Sequence, residues 1–236
     1  MINNTKPIEI LSAEYLANKP FPHIIIDNFF DSSILSAAEE ELQSFESWGW
    51  DNTDYVKNHQ VNKLFTPWND DSFKLLSDKA PNATFVMSYL NSQFTLNFLE
   101  KLTGINDLLA DHSLGGGGVH KISTGGKLDV HIDFNWHEQM LAHRRINLLL
   151  YLNKNWQQEW GGNLELWGKD STSKDVDIQP IFNRAVIFNI TDESYHGHPI
   201  PLNTPPDVHR LSFAMYYFTK ERPHEEINPP HYVVWK

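Results

Sequence analysis

The chain reads as a mainly β protein with helices gathered in its N-terminal part, an α+β arrangement built on a sandwich or barrel. Three observations predict this. From about Leu114 onward, short β-like runs follow one another at intervals of roughly ten residues, separated by clusters of Gly, Asn, Asp and Pro. Two of those runs alternate with period two, apolar on one side and mixed on the other. Before Leu114 the chain holds one β-branched run and two segments whose apolar residues recur at helical spacing.

Taken in order, FPHIIIDN (Phe21 to Asn28) predicts a strand that feeds a helix in DSSILSAAEEELQSF. Asp31 or Ser32 can cap that helix, and Ile34, Leu35, Ala38 and Leu42 form its apolar face, with EEEL as a solvated one. A second helix is expected over about Ala83 to Leu102, stopped by Gly104 where a left-handed residue is usual. The intervening stretch around Pro67 to Asp71 reads as loop. Strands are then expected near 117–123, 127–133, 145–153, 162–167, 176–181, 185–190 and 210–218. The tail ERPHEEINPPHYVVWK, with three prolines, is expected to wrap the surface. The chain reads as one domain, with a support region at 1–113, a β core at 114–219 and a tail at 220–236.

Composition narrows the function. The 236 residues carry 19 Lys and Arg against 30 Asp and Glu, a net charge of −11 that would repel a phosphate backbone, so no nucleic-acid partner is expected. Cysteine is absent, which excludes disulfides, thiolate metal sites and cysteine nucleophiles, so any metal must be held by His, Asp or Glu. MINNTKPIEILSAEYL lacks a basic segment followed by an apolar one, and no window approaches the ~18 apolar residues of a membrane span. A cytoplasmic placement without membrane partners is the expectation, and oligomeric state is not readable.

The alternating runs say which side chains point together. In RINLLLYLN, Arg145, Asn147, Leu149, Tyr151 and Asn153 share a face; in RLSFAMYYFT, Arg210, Ser212, Ala214, Tyr216 and Phe218 share one. An apolar core has no use for Arg, Ser, Asn and Tyr, whereas the mouth of a small barrel holding a charged ligand does.

His131 and Asp133 in DVHIDF lie two apart, so on a strand they project to one face and can share a metal ion. A third ligand comes from TDESYHGHP, as His196 or His198. Two histidines and a carboxylate form a facial set that suits non-haem Fe(II) and leaves coordination positions open. A dicarboxylate that chelates iron by its 2-oxo acid end leaves a second carboxylate buried, and Arg210 with Ser212 beside it supplies a cation and a hydroxyl to meet it. Tyr151 adds a phenolic group from a neighbouring strand.

At HIDF, RRINLLLYLNKNWQQEWGGNLELW, AVIFNITDESYHGHP and RLSFAMYYFT, from about Gly117 to Thr219, the sequence resembles the Fe(II)/2-oxoglutarate-dependent dioxygenases, in particular their prolyl-hydroxylase-like branch. FPHIIIDNFF is similar to the entry strand these proteins often carry. The resemblance implies a double-stranded β-helix (jelly-roll) barrel of two antiparallel sheets. It implies Fe(II), 2-oxoglutarate as cosubstrate and dioxygen, with ascorbate as an optional reductant. It implies hydroxylation of an unactivated C–H bond in a protein, a peptide or a small molecule, prolyl residues included.

Residue by residue, the resemblance assigns His131, Asp133 and His196 to iron, preferring His196 to His198 because the family's ligand follows the strand-end aromatic, here Tyr195. Arg210 takes the distal carboxylate with Tyr151 assisting, and Ser212 and Asn147 join the cofactor-binding set. Gly161-Gly162 and Leu164 to Trp167 match the family's scaffold. Two points qualify the match: the interval from His196 to Arg210, with four prolines in it, exceeds the family's usual one, and Asp133 leaves no vacancy for a halide.

Blander readings stand beside these. His131 and Asp133 alone could face solvent on a strand, Arg210 could pair with one of the acids, and Tyr151 could be core. Asn135, Trp136, His137 and His143 follow the metal pair and could face substrate or lie on a surface loop. The GGGG at 115–118 precedes a β-like run and lacks a following Lys-Ser/Thr, so it is no phosphate loop and instead permits a flexible or closely packed approach to the barrel. Demethylation, desaturation or epimerisation could occur on the same iron centre. A non-catalytic metal-binding β-barrel, a sensor or a carbohydrate-binding module, is the reading from another class, encouraged by eight Trp and eight Tyr.

Overall fold

Local rules account for most of the elements and for the places where the expected ones change. The computed structural model describes residues 1–3, 6–46, 48–50, 59–65, 69–170 and 172–236. Helix α1 (Ile8–Ala17) was not expected: Leu11 and Tyr15 are buried one turn apart, but Ile10 and Leu16 are exposed, so its apolar residues form no stripe. Strand β1 (His23–Asp27) leads into α2 (Ser32–Gln43), and Asp31 caps α2 by accepting from the Ser33 and Ile34 amides. The EEEL segment is only partly solvated. Glu39 is buried against Lys154, and Glu41 accepts from the Asn82 and Ala83 amides at the start of a later helix.

Strands β2 (Gly49–Trp50) and β3 (Gln60–Phe65) precede α3 (Asp70–Lys79). The loop expected around Pro67 to Asp71 therefore ends in a helix start, because Asn69 accepts from the Ser72 amide as an N-cap; Pro67 and Trp68 lie outside the described residues. The single helix expected over 83–102 is two, α4 (Pro81–Leu90) and α5 (Gln93–Thr103). At the joint, the hydroxyls of Ser92 and Thr95 both donate to the Tyr89 carbonyl and end the first ladder. Gly104 closes α5 with φ 75°, as expected.

The β core comprises β4 (Leu109–Ala110), β5 (Gly118–Ile132), β6 (Trp136–His137), β7 (Ala142–Tyr151), β8 (Leu164–Trp167), β9 (Lys174–Ile178), β10 (Arg184–Asn189), β11 (His196–His198), β12 (Arg210–Thr219) and β13 (Val234–Trp235). β5 merges two expected strands, running unbroken through Gly125, which takes φ 74°. Hydrogen bonding follows the order β1-β10-β7-β12-β5-β11-β8-β9, and the named strand pairs are antiparallel. The result is a mainly β jelly-roll whose sheet curls on itself. The two expected sheets are joined, because β5 pairs with β12 through Gly118 to Ile122 and with β11 through Leu128 to His131.

The two faces of the curl do different work. Ile146, Leu148 and Leu150 of β7 and Phe213, Met215 and Tyr217 of β12 pack against helical Leu35, Leu42, Val86, Leu90 and Leu99 in one apolar core. The inner face carries a smaller cluster, including Tyr151, Leu164, Leu166, Val186 and Phe188, and beside it the polar site.

Period-two alternation put Arg145 on that inner face. A β-bulge overturns this: Ile146 pairs with Tyr217, but the next pair is Arg144 with Phe218, so Arg145 is the extra residue. Arg144 turns to the site, and Arg145 bonds Thr219 and Glu226. The tail also departs from expectation, because β13 adds to β5 with Val234 opposite Ile132 and Trp235 opposite His131.

Candidate metal centre

Three side chains converge at one point of the inner face. His131 stands near the end of β5, Asp133 just beyond it, and His196 opens β11 directly opposite His131. His131 Nε2 lies 3.5 Å from Asp133 Oδ1, and His196 Nε2 lies 3.4 Å from Asp133 Oδ2. All three residues are buried, and one ligand atom from each lies within 4.8 Å of the others. Of the two histidines left open by the sequence, it is His196 and not His198 that the fold brings beside His131 and Asp133.

The backbone fixes which ring nitrogens face inward. His131 Nδ1 is 2.8 Å from the Asp129 carbonyl, and His196 Nδ1 is 2.9 Å from the Ser194 carbonyl. A carbonyl only accepts, so each Nδ1 carries the proton and each Nε2 keeps a lone pair. That is the second-shell arrangement metal-binding histidines use, and with one carboxylate it fits Fe(II).

Electrostatics favour the ligand protonation states. Burial by itself would raise the Asp133 pKa, but the Arg144 guanidinium beside it holds it well below the ordinary carboxylate range. Burial pushes the His131 pKa down, which keeps it neutral. Arg144 is 3.0 Å from Asp133 Oδ2, and Asn147 Nδ2 donates to the same oxygen at 2.8 Å. Asn147 is thus turned toward the metal carboxylate, while its own Oδ1 accepts from Arg144.

A cavity of about 240 Å³ joins these ligands to Arg210, Ser212, Asn147 and Leu149. Arg210 is buried at its wall, where its Nε donates to the Gly162 carbonyl at 2.8 Å and its Nη2 to the Tyr151 hydroxyl at 3.2 Å. Gly162, read as scaffold, therefore holds the arginine directly. With φ 73° it adopts a conformation L residues rarely take, and a Cβ there would lie 2.4 Å from Leu202 and 3.1 Å from the Arg210 side chain. Ser212 sits on the cavity wall, paired in register with Tyr151 on one side and His120 on the other. The close approach expected of the glycine run is at Gly117, where a Cβ would lie 2.7 Å from the Ala214 carbonyl.

The residues after Asp133 divide in role. Asn135 is buried and fastens the tail, donating to the Pro229 carbonyl and accepting from the His231 amide. Trp136 and His137 line a second, more open cavity of about 590 Å³ that shares Gly116 and Phe134 with the first. His143 packs edge-on against Trp136.

Two contributors carried no sequence signal strong enough to single them out. Arg144 is hidden by the bulge, although the adjacent pair Arg144-Arg145 offered both candidates. Trp235 comes from the tail, yet its ring is 5.1 Å from the His131 ring and stacks on His59 at 4.6 Å.

Residues 117–218 match the family described as the 2OG-Fe(II) oxygenase superfamily. A prolyl 3,4-dihydroxylase of Ostreococcus tauri is 25% identical over 214 residues, covering 86% of this chain and 39% of that protein. A prolyl 3-hydroxylase of Mus musculus is 25% identical over 219 residues, covering 89% of this chain and 35% of that protein. The chain thus spans well under half the length of these curated relatives. A prolyl hydroxylase of Trichoplax adhaerens, solved in complex with a hypoxia-inducible-factor oxygen-degradation-domain peptide, shares the fold with a TM-score of 0.63 at 19% identity, over 90% of this chain and 91% of that one.

Proposed function

We propose that this chain, a 2OG-Fe(II) oxygenase of the prolyl-hydroxylase-like kind, hydroxylates a C–H bond of a prolyl residue held in a polypeptide. The observation that carries the reading is one cavity with His131, Asp133 and His196 on its wall together with the buried guanidinium of Arg210. When bound, Fe(II) would supply the centre at which dioxygen is activated, and 2-oxoglutarate the electrons that this activation consumes.

His131 and His196 offer neutral Nε2 lone pairs, and Asp133 offers a carboxylate kept ionised by Arg144. Arg210, braced by Gly162 and Tyr151, meets the distal carboxylate of the cosubstrate. Leu149, Leu164 and Trp235 give the cavity apolar wall beside these polar groups.

The polypeptide reading draws on the second cavity, where Phe134, Trp136 and Tyr232 offer aromatic faces of the kind on which proline rings pack. The names of the relatives favour the same substrate class. The net charge of −11 favours a basic or neutral polypeptide over an acidic one. The test is turnover of 2-oxoglutarate to carbon dioxide with a set of basic, proline-containing peptides. Stimulated decarboxylation with a peptide gaining one oxygen atom on proline is expected. Oxygen transfer to a free prolyl metabolite alone would reassign the substrate, and metal binding without decarboxylation would favour a sensor or binding module.

A further inference from the structure

We infer that His198 is a second recognition residue for the distal carboxylate of the cosubstrate, acting beside Arg210; the inference rests on the oxygenase reading above. His198 is 3% exposed, and neither of its ring nitrogens has a hydrogen-bond partner. Buried polar groups are ordinarily satisfied, so an imidazole with two orphaned nitrogens on a cavity wall points to a ligand.

The backbone holds it there. A Cβ at Gly197 would lie 2.8 Å from the carbonyl oxygens of both Leu128 and Asp129, so only glycine lets β11 approach β5 this closely. The same approach sets His196 opposite His131 and His198 opposite Leu128. The residue two positions beyond a metal ligand then borders the same cavity as the ligand itself.

The surrounding chemistry specifies an anion. Arg210, Lys63 and His120 share that wall, and among the described residues its only carboxylate is Asp133, which Arg144 and Asn147 already hold. Arg210 spends Nε on Gly162 and Nη2 on Tyr151, and Nη1 makes no hydrogen bond among the described residues. A carboxylate has two oxygens to offer, one for that free guanidinium nitrogen and one for an imidazole N–H. The role is recognition alone, with no bond made and no proton transferred.

The experiment is calorimetric titration of Mn(II)-loaded protein with 2-oxoglutarate and, separately, with 2-oxobutyrate, which keeps the 2-oxo acid end and lacks the distal carboxylate. Wild type is compared with His198→Leu and His198→Gln. Loss of a hydrogen bond to a charged group predicts about ten- to a hundredfold weaker 2-oxoglutarate binding in His198→Leu. Binding of 2-oxobutyrate and of Mn(II) should be unchanged, and His198→Gln, which keeps a donor, should recover part of the loss. Equal weakening of both acids, or weakening of neither, would overturn the inference while leaving the oxygenase reading intact. Failure of wild type to bind 2-oxoglutarate at all would instead sink that reading and the inference with it.

Discussion

Arg144 lies 3.0 Å from Asp133, and its guanidinium stacks 3.6 Å over the Tyr216 ring, so the Asp133 carboxylate is held from behind by a cation that has no other carboxylate partner among the described residues. Arg144 is 1% exposed and Asp133 7%, which puts the pair out of reach of solvent screening. Arg144→Ala should leave Asp133 as an uncompensated buried charge and destabilise the metal-free protein by about 3–5 kcal/mol. Metal affinity should fall about 10- to 100-fold as the second shell is lost. Thermal melts with and without Fe(II) check both; an unchanged melt and unchanged affinity would show the pair to be idle.

Arg210→Lys should not be conservative. A lysine ammonium cannot reproduce the fork that reaches the Gly162 carbonyl by Nε and the Tyr151 hydroxyl by Nη2 while leaving a third nitrogen for ligand. The expected outcome is at least about a tenfold rise in the 2-oxoglutarate concentration needed for half-saturation, with metal affinity retained. Equal cosubstrate affinity in Arg210→Lys would mean that the distal carboxylate is held elsewhere.

Trp235 closes the cavity beside His131 from a strand only two residues long. Trp235→Ala should admit water and loosen the coupling between cosubstrate and substrate. More carbon dioxide should therefore be released per hydroxylated product, measured by quantifying both. A ratio identical to wild type would assign Trp235 to tail anchoring alone.

That His131 and Asp133 come together was legible because HIDF needs only strand periodicity to place them on one face, and the shared face of Arg210 and Ser212 was legible for the same reason. Where alternation failed, a bulge was responsible: one extra residue in β7 exchanged Arg144 for Arg145 at the site, and nothing in RRINLLLYLN marks a bulge. The joint between α4 and α5 was missed because Ser92 and Thr95 end a helix by side-chain bonding in a segment whose apolar spacing runs on unbroken. Trp235 was missed for a different reason, since a tail rich in proline reads as surface until β5 is seen to have an edge that accepts it.

Gly197→Ala tests the seat of His196. Its Cβ would sit 2.8 Å from two carbonyl oxygens that belong to the backbone, so β11 must move away from β5 and carry His196 with it. The protein should lose about 1–3 kcal/mol of stability and bind metal more weakly, both read from melts with and without Fe(II). A substitution tolerated on both counts would show that β11 has slack.

The most direct test of the iron and cosubstrate assignment is anaerobic titration of Fe(II) with 2-oxoglutarate, following the weak visible charge-transfer band in wild type, His131→Ala, His196→Ala and His198→Ala. The structure predicts a band in wild type that disappears in His131→Ala and His196→Ala and persists in His198→Ala at higher 2-oxoglutarate. A band that survives in His196→Ala and vanishes in His198→Ala, or no band in wild type despite tight metal binding, would contradict it.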